Sequence, residues 1–176
     1  LKEKTMAALR NGIKTVLIPK DNVRDLEEID QTVRAELKFI PVETIDQVFD
    51  LLDSRGVTSV DKLQDMAANY DYAFDWLRER PLGDYHRLEG YLFPDTYTFE
   101  LGENPKYVIN KMLVNFDAKM DEYMANYTGE EAQYSLHDIV TIASMIEKET
   151  DGTNTDERSD YKSIASVIYN RLENPE

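Results

Sequence analysis

The stretch that sets the fold class is Ile13-Lys14-Thr15-Val16-Leu17-Ile18, a β-branched and mostly apolar run. Such a run predicts a buried strand of the kind that α/β layers contain. Gly12 before it favours the end of a helix, and Pro19 ends the strand. A second short strand is predicted over Leu37 to Val42. The first 42 residues therefore predict a small α/β segment in the order helix, strand, helix, strand.

Helical periodicity dominates the rest of the chain, so the predicted fold class is α+β and mostly helical in its C-terminal part. Residues 83–102 contain Gly90, Pro94 and many aromatic residues, and they predict a structured loop with short strands. The predicted helices cover Lys2 to Asn11, Asp21 or Asn22 to Glu28, Thr44 to Ser54, Ser59 or Asp61 to Asn69, Tyr72 to Arg80, Tyr107 to Tyr127, Ser135 to Thr150 and Tyr161 to Leu172.

Composition excludes several classes of function. The 176 residues carry a net charge of −15, which would repel nucleic-acid phosphates. Cysteine is absent, so thiolate chemistry and Cys-based zinc sites are excluded. The two histidines, His86 and His137, are far apart and give no metal-binding spacing, so we read both as surface residues and expect neither metal nor cofactor. No apolar run approaches the roughly 20 residues that span a bilayer.

Charge and aromatic content change near residue 42. Residues 1–42 contain eight Lys/Arg and seven Asp/Glu, whereas residues 43–176 contain twelve and twenty-eight. Phe39 is the only aromatic residue before residue 43, and all eleven tyrosines follow it. This change predicts two units, 1–42 and 43–176.

Glu147 is the first candidate for chemistry. It ends the apolar run Thr141-Ile142-Ala143-Ser144-Met145-Ile146, and helical spacing places Ala143, Ser144 and Glu147 on one face. The two small residues leave space beside the carboxylate, and we expect partial desolvation, which favours the neutral form that a general acid needs. The alternative is an ordinary glutamate in a solvated last turn.

Two further clusters suit ligand binding. The stretch 88–99, here called the aromatic loop, interleaves aromatic rings with Glu89, Asp95 and Thr96, as a sugar-binding wall does. The alternative is a loop that folds over its own small core. Tyr169-Asn170-Arg171 offers donors for carboxylate or amide groups. The alternative for this cluster is an ordinary helix end, at which the positive charge of Arg171 interacts favourably with the helix dipole.

Three motifs together resemble the YceG-like endolytic murein transglycosylases. They are Leu88-Glu89-Gly90-Tyr91-Leu92-Phe93-Pro94-Asp95-Thr96-Tyr97, Ile142-Ala143-Ser144-Met145-Ile146-Glu147-Lys148-Glu149-Thr150, and Val167-Ile168-Tyr169-Asn170-Arg171-Leu172. The resemblance covers about residues 43–176, with a LysM-like piece over about 43–80 and part of a catalytic domain over about 81–176.

The resemblance implies cleavage of the MurNAc–GlcNAc bond of nascent peptidoglycan with formation of 1,6-anhydro-MurNAc ends. Glu147 matches the catalytic glutamate of the family. The implied protein acts at the outer side of the cell membrane, on peptidoglycan glycan strands, with the cell-wall synthesis machinery as a candidate partner and without metal or cofactor. The residues that we expect to bind substrate are Glu89, Tyr91, Asp95, Tyr97, Ser144, Glu149, Asn170 and Arg171.

Residues 1–48 resemble a different family. Leu1-Lys2-Glu3-Lys4-Thr5-Met6-Ala7-Ala8, Gly12 to Pro19 and Asp25-Leu26-Glu27-Glu28-Ile29 are similar to the end of the proteolytic domain of Lon proteases. Lys4 matches the lysine of the Lon Ser–Lys dyad. The segment that carries the partner serine is not part of these residues, so we expect no proteolysis, because a lone lysine cannot complete the mechanism. This segment would suggest the cytoplasm.

Two alternatives to a transglycosylase stay open at this point. In the family that these motifs resemble, the catalytic domain continues past the Tyr-Asn-Arg-Leu motif, and the protein has a membrane anchor. Neither is within residues 1–176, so the expected glycan groove is incomplete and the region on its own could be inactive. One alternative is therefore a module that binds glycan without cutting it. The other is a piece of an ATP-dependent Lon protease.

Overall fold

The computed structural model describes residues 2–125, 134–149 and 157–174. Within these ranges, seven α-helices and two β-strands confirm the predicted α+β, mostly helical class. Their bounds are α1 Lys2–Arg10, β1 Thr15–Pro19, α2 Gln31–Glu36, β2 Lys38–Val42, α3 Ile45–Ser54, α4 Val60–Asn69, α5 Pro105–Ala125, α6 Leu136–Glu149 and α7 Glu157–Glu173. Short 3₁₀ segments occur at Lys20–Glu28, Asp75–Leu77 and Tyr85–Leu88.

Strands β1 and β2 pair in parallel, with Thr15 opposite Lys38 and Pro19 opposite Val42. The 3₁₀ segment Lys20–Glu28 and α2 form the crossover between them. Sequence analysis missed α2, which is only six residues long. The Asp30 carboxylate accepts a 2.8 Å hydrogen bond from the Thr32 N–H and so caps its start.

Two other predictions were wrong. A helix was expected over Tyr72 to Arg80, but only Asp75–Leu77 forms a 3₁₀ turn. Tyr72 and Leu77 are both buried, and a five-residue separation does not put two side chains on one helical face. Short strands were expected within residues 83–102, but these residues contain the 3₁₀ turn Tyr85–Leu88 and irregular backbone. Gly90 adopts φ +86°, which interrupts any extended run there.

Contacts divide the chain into two compact units. The first comprises Leu1–Phe74 and Arg80–Tyr127, and the second comprises Asp75–Glu79 and Thr128–Glu176. The first unit includes both sides of residue 42, and the Arg55 guanidinium donates to Thr15 Oγ1 at 3.1 Å across that point. The predicted division into 1–42 and 43–176 stays a prediction, while contacts divide the chain near residue 127 and group Asp75–Glu79 with the second unit.

The first unit has a core of apolar side chains from α3, α4, α5 and the aromatic loop. A smaller apolar cluster is formed by the crossover residues Ile29 and Val33 and by Leu37, and Met6, Leu9, Val16, Leu26 and Phe39 pack against it. Fully buried members of the main core include Phe49, Leu63, Leu88, Tyr91, Val108, Ile109 and Leu113.

A buried arginine ties the loop before the aromatic loop to the end of α4. Arg87 is 4% exposed, and its Nη1 donates to the Tyr70 carbonyl at 3.2 Å. Its Nε donates to the Arg80 carbonyl at 3.1 Å, and the Nε of Arg80 donates to the Arg87 carbonyl at 3.2 Å. These bonds satisfy a buried cation with backbone acceptors, and they fix where the aromatic loop begins.

In the second unit, α6 and α7 pack against each other. A capping box forms at the start of α6, between Ser135 and Asp138. Asp138 Oδ2 accepts from the Ser135 N–H at 3.0 Å, and Ser135 Oγ accepts from the Asp138 N–H at 3.2 Å. Helix α7 begins earlier than predicted, at Glu157.

Candidate functional site

The predicted site residues fall into both units, and each group is described within its own unit. Lys4, Glu89, Tyr91, Asp95 and Tyr97 belong to the first unit. The second unit contains Ser144, Glu147, Glu149, Asn170 and Arg171.

Asp95 and Tyr97 form one polar cluster with Asn115 of α5. The Asn115 Nδ2 amide donates to Asp95 Oδ2 at 3.0 Å and to the Tyr97 hydroxyl at 2.9 Å. The Tyr97 hydroxyl donates onward to the Phe93 carbonyl at 2.6 Å. This chain of bonds fixes the outer half of the aromatic loop against α5. Burial raises the pKa of Tyr97, which keeps its hydroxyl a donor at neutral pH.

Lys4 of α1 completes the cluster from the opposite side. Its Nζ lies 3.2 Å from Asp95 Oδ1 and 5.8 Å from the centre of the Phe93 ring. Partial burial alone would raise the pKa of the Asp95 carboxyl, but the Thr96 N–H, the Asn115 amide and the Lys4 ammonium outweigh it and lower the pKa. Asp95 is therefore a fixed anion at neutral pH, surrounded by donors from three parts of the chain.

Two cavities adjoin this cluster. A cleft of about 200 Å³ is lined by α1 residues including Lys4, by β1, and by Pro94, Asp95 and Thr96. A smaller apolar pocket of about 90 Å³ lies between β1 and the aromatic loop and includes Phe93, Tyr97 and Phe99. The Tyr97 and Phe99 rings stack with their centres 5.9 Å apart. Half-buried rings beside a fixed carboxylate are what a sugar face and its hydroxyl edge require.

Two motif residues in the aromatic loop support the fold instead. Tyr91 is 1% exposed and meets Phe116 edge to face at 5.2 Å. A side chain with this burial has no ring face free for a ligand, so Tyr91 acts here as a core residue, as in the alternative interpretation of the loop. Glu89 Oε2 accepts a 3.1 Å hydrogen bond from the Ile45 N–H, which satisfies a free donor at the start of α3.

A second polar cluster joins the same region to α3. His86 Nδ1 lies 2.9 Å from Asp84 Oδ1, and His86 Nε2 lies 3.6 Å from Asp46 Oδ2. The Tyr85 hydroxyl donates to Asp46 Oδ1 at 2.7 Å, and the Tyr85 ring stacks on His86. The hydrogen bond to Asp84 and the nearby Asp46 charge raise the pKa of His86, although partial desolvation opposes them.

Glu147 lies exposed in the last turn of α6, with Ala143 and Ser144 exposed on the same face. Ile142, on the other side of the helix, is buried. The open space beside the carboxylate is therefore present. The Glu147 carboxylate is not partly desolvated as expected, because water also reaches it over the two small residues. Ser144 Oγ donates to the Thr141 carbonyl at 2.7 Å, a local bond within the helix.

The third motif lies toward the other end of the helix pair. The Tyr134 ring, just before α6, contacts the Tyr169 ring of α7 at 5.2 Å between centres. The start of α6 is thus next to the end of α7, where Asn170 and Arg171 are exposed. Leu136 and Glu147 are separated along α6 by about 16 Å of helical rise. Ser144 thus lies one helical turn before Glu147 on α6, and Asn170 and Arg171 follow Tyr169, which contacts the residue just before α6.

Sequence reasoning missed Asn115 and the local role of Lys4. Asn115 lies within the long helix α5, and its neighbours in sequence form no motif that would indicate a site. It reaches Asp95 only through the folding of the chain. Lys4 was singled out for its resemblance to a protease lysine, whereas the structure pairs it with a motif carboxylate. In the described ranges, no group of three or more His, Asp or Glu side chains could hold a metal ion. None of the helices described has the length and apolar character to cross a bilayer.

Comparison with known proteins gives a family match over most of the chain. The model of the YceG-like family matches residues 8–176. A yceG-like protein of Listeria monocytogenes has a similar structure, with a TM-score of 0.52 and 27% identity, covering 82% of this chain and 52% of that protein. An endolytic murein transglycosylase of Streptococcus pneumoniae is 36% identical over 105 residues, which is 60% of this chain and 18% of the relative.

Lon proteases match a shorter part. That of Vibrio parahaemolyticus is 59% identical over 61 residues, or 35% of this chain and 8% of the relative. That of Haemophilus influenzae is 65% identical over 48 residues, or 27% of this chain and 6% of the relative. The chain therefore spans less than a fifth of these curated relatives. The family model begins at residue 8 and overlaps the Lon-like stretch, and it covers both strands and all the site residues except Lys4. The chain belongs to the YceG-like family.

Proposed function

We propose that this chain carries the acid/base glutamate of a peptidoglycan lytic transglycosylase. The support comes from the family match and from relatives named as endolytic murein transglycosylases. The observation that carries the assignment is the exposed Glu147 carboxylate in the last turn of α6, on a face kept open by Ala143 and Ser144. A bulky glycan needs such an open approach to a general acid.

The proposed reaction needs one carboxyl group and no water. Neutral Glu147 gives its proton to the glycosidic oxygen as the bond from MurNAc C1 to that oxygen breaks, and GlcNAc leaves with a free hydroxyl. The Glu147 carboxylate then takes the proton of the MurNAc C6 hydroxyl as that oxygen bonds to C1. The proton given is returned, and the product carries a 1,6-anhydro ring. Ordinary glycosidases instead use two carboxyl groups and a water molecule.

In the proposed reaction, the exposed Glu147 carboxylate becomes covered when glycan binds. A glycan strand over the open face of α6 would remove water from the carboxylate and favour its neutral, proton-donating form. Ser144 and Glu149 are the proposed substrate contacts near it, and Asn170 and Arg171 are proposed contacts near the end of α7. In the first unit, Asp95 and Tyr97 are the proposed contacts for sugar hydroxyls, beside the half-buried rings of the aromatic loop.

The proposed setting follows from the same relatives. The substrate would be nascent glycan strands at the outer side of the cell membrane, and the cell-wall synthesis machinery is the proposed partner. No proteolytic role is proposed for the Lon-like segment, because Lys4 is engaged with Asp95 rather than with a serine among the residues described.

The test is the product formed from uncrosslinked peptidoglycan strands, read by mass spectrometry as 1,6-anhydro-MurNAc ends. Wild-type protein should generate these ends. Glu147→Gln should reduce them at least about a thousandfold, because proton transfer contributes about 10²–10⁴-fold to each of the steps it serves. The matched control is Glu173→Gln, the same change at an exposed position of α7 in the same unit.

The outcomes separate the alternatives. Cleavage retained by a folded Glu147→Gln protein would remove Glu147 as the catalyst. Glycan binding without anhydro ends from the wild type would favour the non-catalytic binding module instead. Circular dichroism of each variant establishes that folding is intact.

A further inference from the structure

Two side chains outside the family motifs converge on the aromatic loop. Lys4 is near the start of the chain in α1, and Asn115 is in the middle of α5. They contact opposite oxygens of the same carboxylate, Lys4 at Asp95 Oδ1 and Asn115 at Asp95 Oδ2. Asn115 also donates to the Tyr97 hydroxyl.

These contacts determine the direction of the Asp95 carboxylate and of the Tyr97 hydroxyl. The Thr96 N–H donates to Asp95 Oδ1 at 2.8 Å, so Oδ1 receives donors from the loop backbone and from α1. The Tyr97 hydroxyl is held between the Asn115 amide and the Phe93 carbonyl. Neither group can rotate without breaking a bond to another element, so both are preorganised for a ligand.

The Lys4–Asp95 pair contributes little to folding. The Lys4 side chain is 53% exposed and that of Asp95 is 26% exposed. Ion pairs of this exposure are screened by solvent and contribute modestly to stability. The same pair lines the cleft of about 200 Å³ beside β1, where a bound ligand would exclude water and strengthen it. The pair therefore lies where a ligand in the cleft would contact it.

We propose that Lys4 and Asn115 are positioning residues that hold Asp95 and Tyr97 in the orientation that receives a glycan strand. This inference rests on the proposed function, since glycan is its ligand. It assigns the Lon-like helix α1 a part in glycan recognition, and it gives Lys4 a role different from that of the protease lysine it resembles.

The experiment measures affinity for an uncrosslinked GlcNAc–MurNAc oligosaccharide by calorimetry, with Glu147→Gln as the parent so that cleavage does not interfere. Adding Lys4→Met should weaken affinity about fivefold, which corresponds to about 1 kcal/mol. Adding Asn115→Leu should weaken it about tenfold, because two hydrogen bonds are lost. Lys4→Arg should restore most of the affinity, since it keeps the charge and the donors.

Lys2→Met is the matched control. Lys2 is in the same helix and pairs with Glu28 at 3.4 Å, with a side chain that is 65% exposed. This variant should bind like the parent. Lys4→Met should also lose part of the salt dependence of binding without a change in melting temperature, which a purely structural role would not produce.

Three results would overturn the inference in distinguishable ways. Equal affinity of the parent and the Lys4→Met protein would remove Lys4 as a positioning residue and leave the proposed function intact. Equal weakening by Lys2→Met would show a general effect of charge. Absence of oligosaccharide binding by the parent would overturn both this inference and the glycan-binding part of the proposed function.

Discussion

The aromatic loop and the α6–α7 helix pair both carry family motifs, but their motif residues occupy different environments. In the loop, Tyr91 is buried in the core and Glu89 satisfies the backbone at the start of α3. In α6, Glu147 is exposed and its neighbours Ala143 and Ser144 leave the face open. The first motif thus mixes buried, fold-supporting residues with partly exposed ones, while the second presents the Glu147 carboxylate to solvent.

The two motifs differ in what the side chains of their members contact. The residue pattern of a motif does not by itself separate members that pack from members that face solvent. Burial and hydrogen bonding do separate them, residue by residue. By that criterion Asp95 and Tyr97 remain candidates for glycan contact, and Tyr91 is a packing residue.

Replacing the buried tyrosine of the first motif should reduce stability strongly. Tyr91→Ala should lower the free energy of unfolding by about 3–5 kcal/mol, because it empties a fully packed site against Phe116. Tyr161→Ala in α7 is the matched change at a tyrosine that is 41% exposed, and it should cost within about 0.5 kcal/mol. Urea unfolding followed by circular dichroism measures both. Similar small losses in the two variants would show that the loop is not the packed element described.

A smaller effect is expected from pH. The pKa of His86 is raised above its ordinary 6.5 by its hydrogen bond to Asp84 and by the Asp46 charge. The stabilisation from the charged imidazolium is therefore complete below pH 6.5 and is lost as pH rises through the higher folded pKa. Urea midpoints should fall between about pH 6 and about pH 8 in the wild type.

The two histidines allow a matched test of that slope. His86→Gln should flatten the pH dependence, and His137→Gln in α6 should keep the slope that arises from His86. An NMR titration of the His86 ring would read the pKa directly. A His86 pKa at or below 6.5 would contradict the contacts with Asp84 and Asp46.

Much of the fold was predictable because its signals are local. The run from Ile13 to Ile18 predicted β1, and helical periodicity predicted the long helices α5 and α6. The Ser135–Asp138 capping box at the start of α6 is likewise local, because its two residues are three apart in sequence. The failures have long-range causes. Helix α2 is short and depends on a cap and on burial of Val33. The backbone of residues 72–80 is not helical because Tyr72 and Leu77 are both buried at positions that one helical face could not provide.

The motif residues of the candidate site could be named from the sequence, but their contacts with other parts of the chain could not. Glu147, Asp95 and Tyr97 were found from the sequence, whereas Asn115 has no local mark and reaches Asp95 through the packing of α5. The desolvation expected for Glu147 was inferred from apolar neighbours in sequence. On a helix those neighbours point to another face, so the carboxylate is exposed.

The proposed reaction cleaves the strand by ring closure on MurNAc and not by attack of water. The most direct measurement is digestion of uncrosslinked peptidoglycan strands by the wild-type protein in water enriched in oxygen-18, with the new ends weighed by mass spectrometry. A lytic transglycosylase should give 1,6-anhydro-MurNAc ends that contain no oxygen-18. Reducing MurNAc ends that carry one oxygen-18 atom would contradict the claim and indicate a hydrolase.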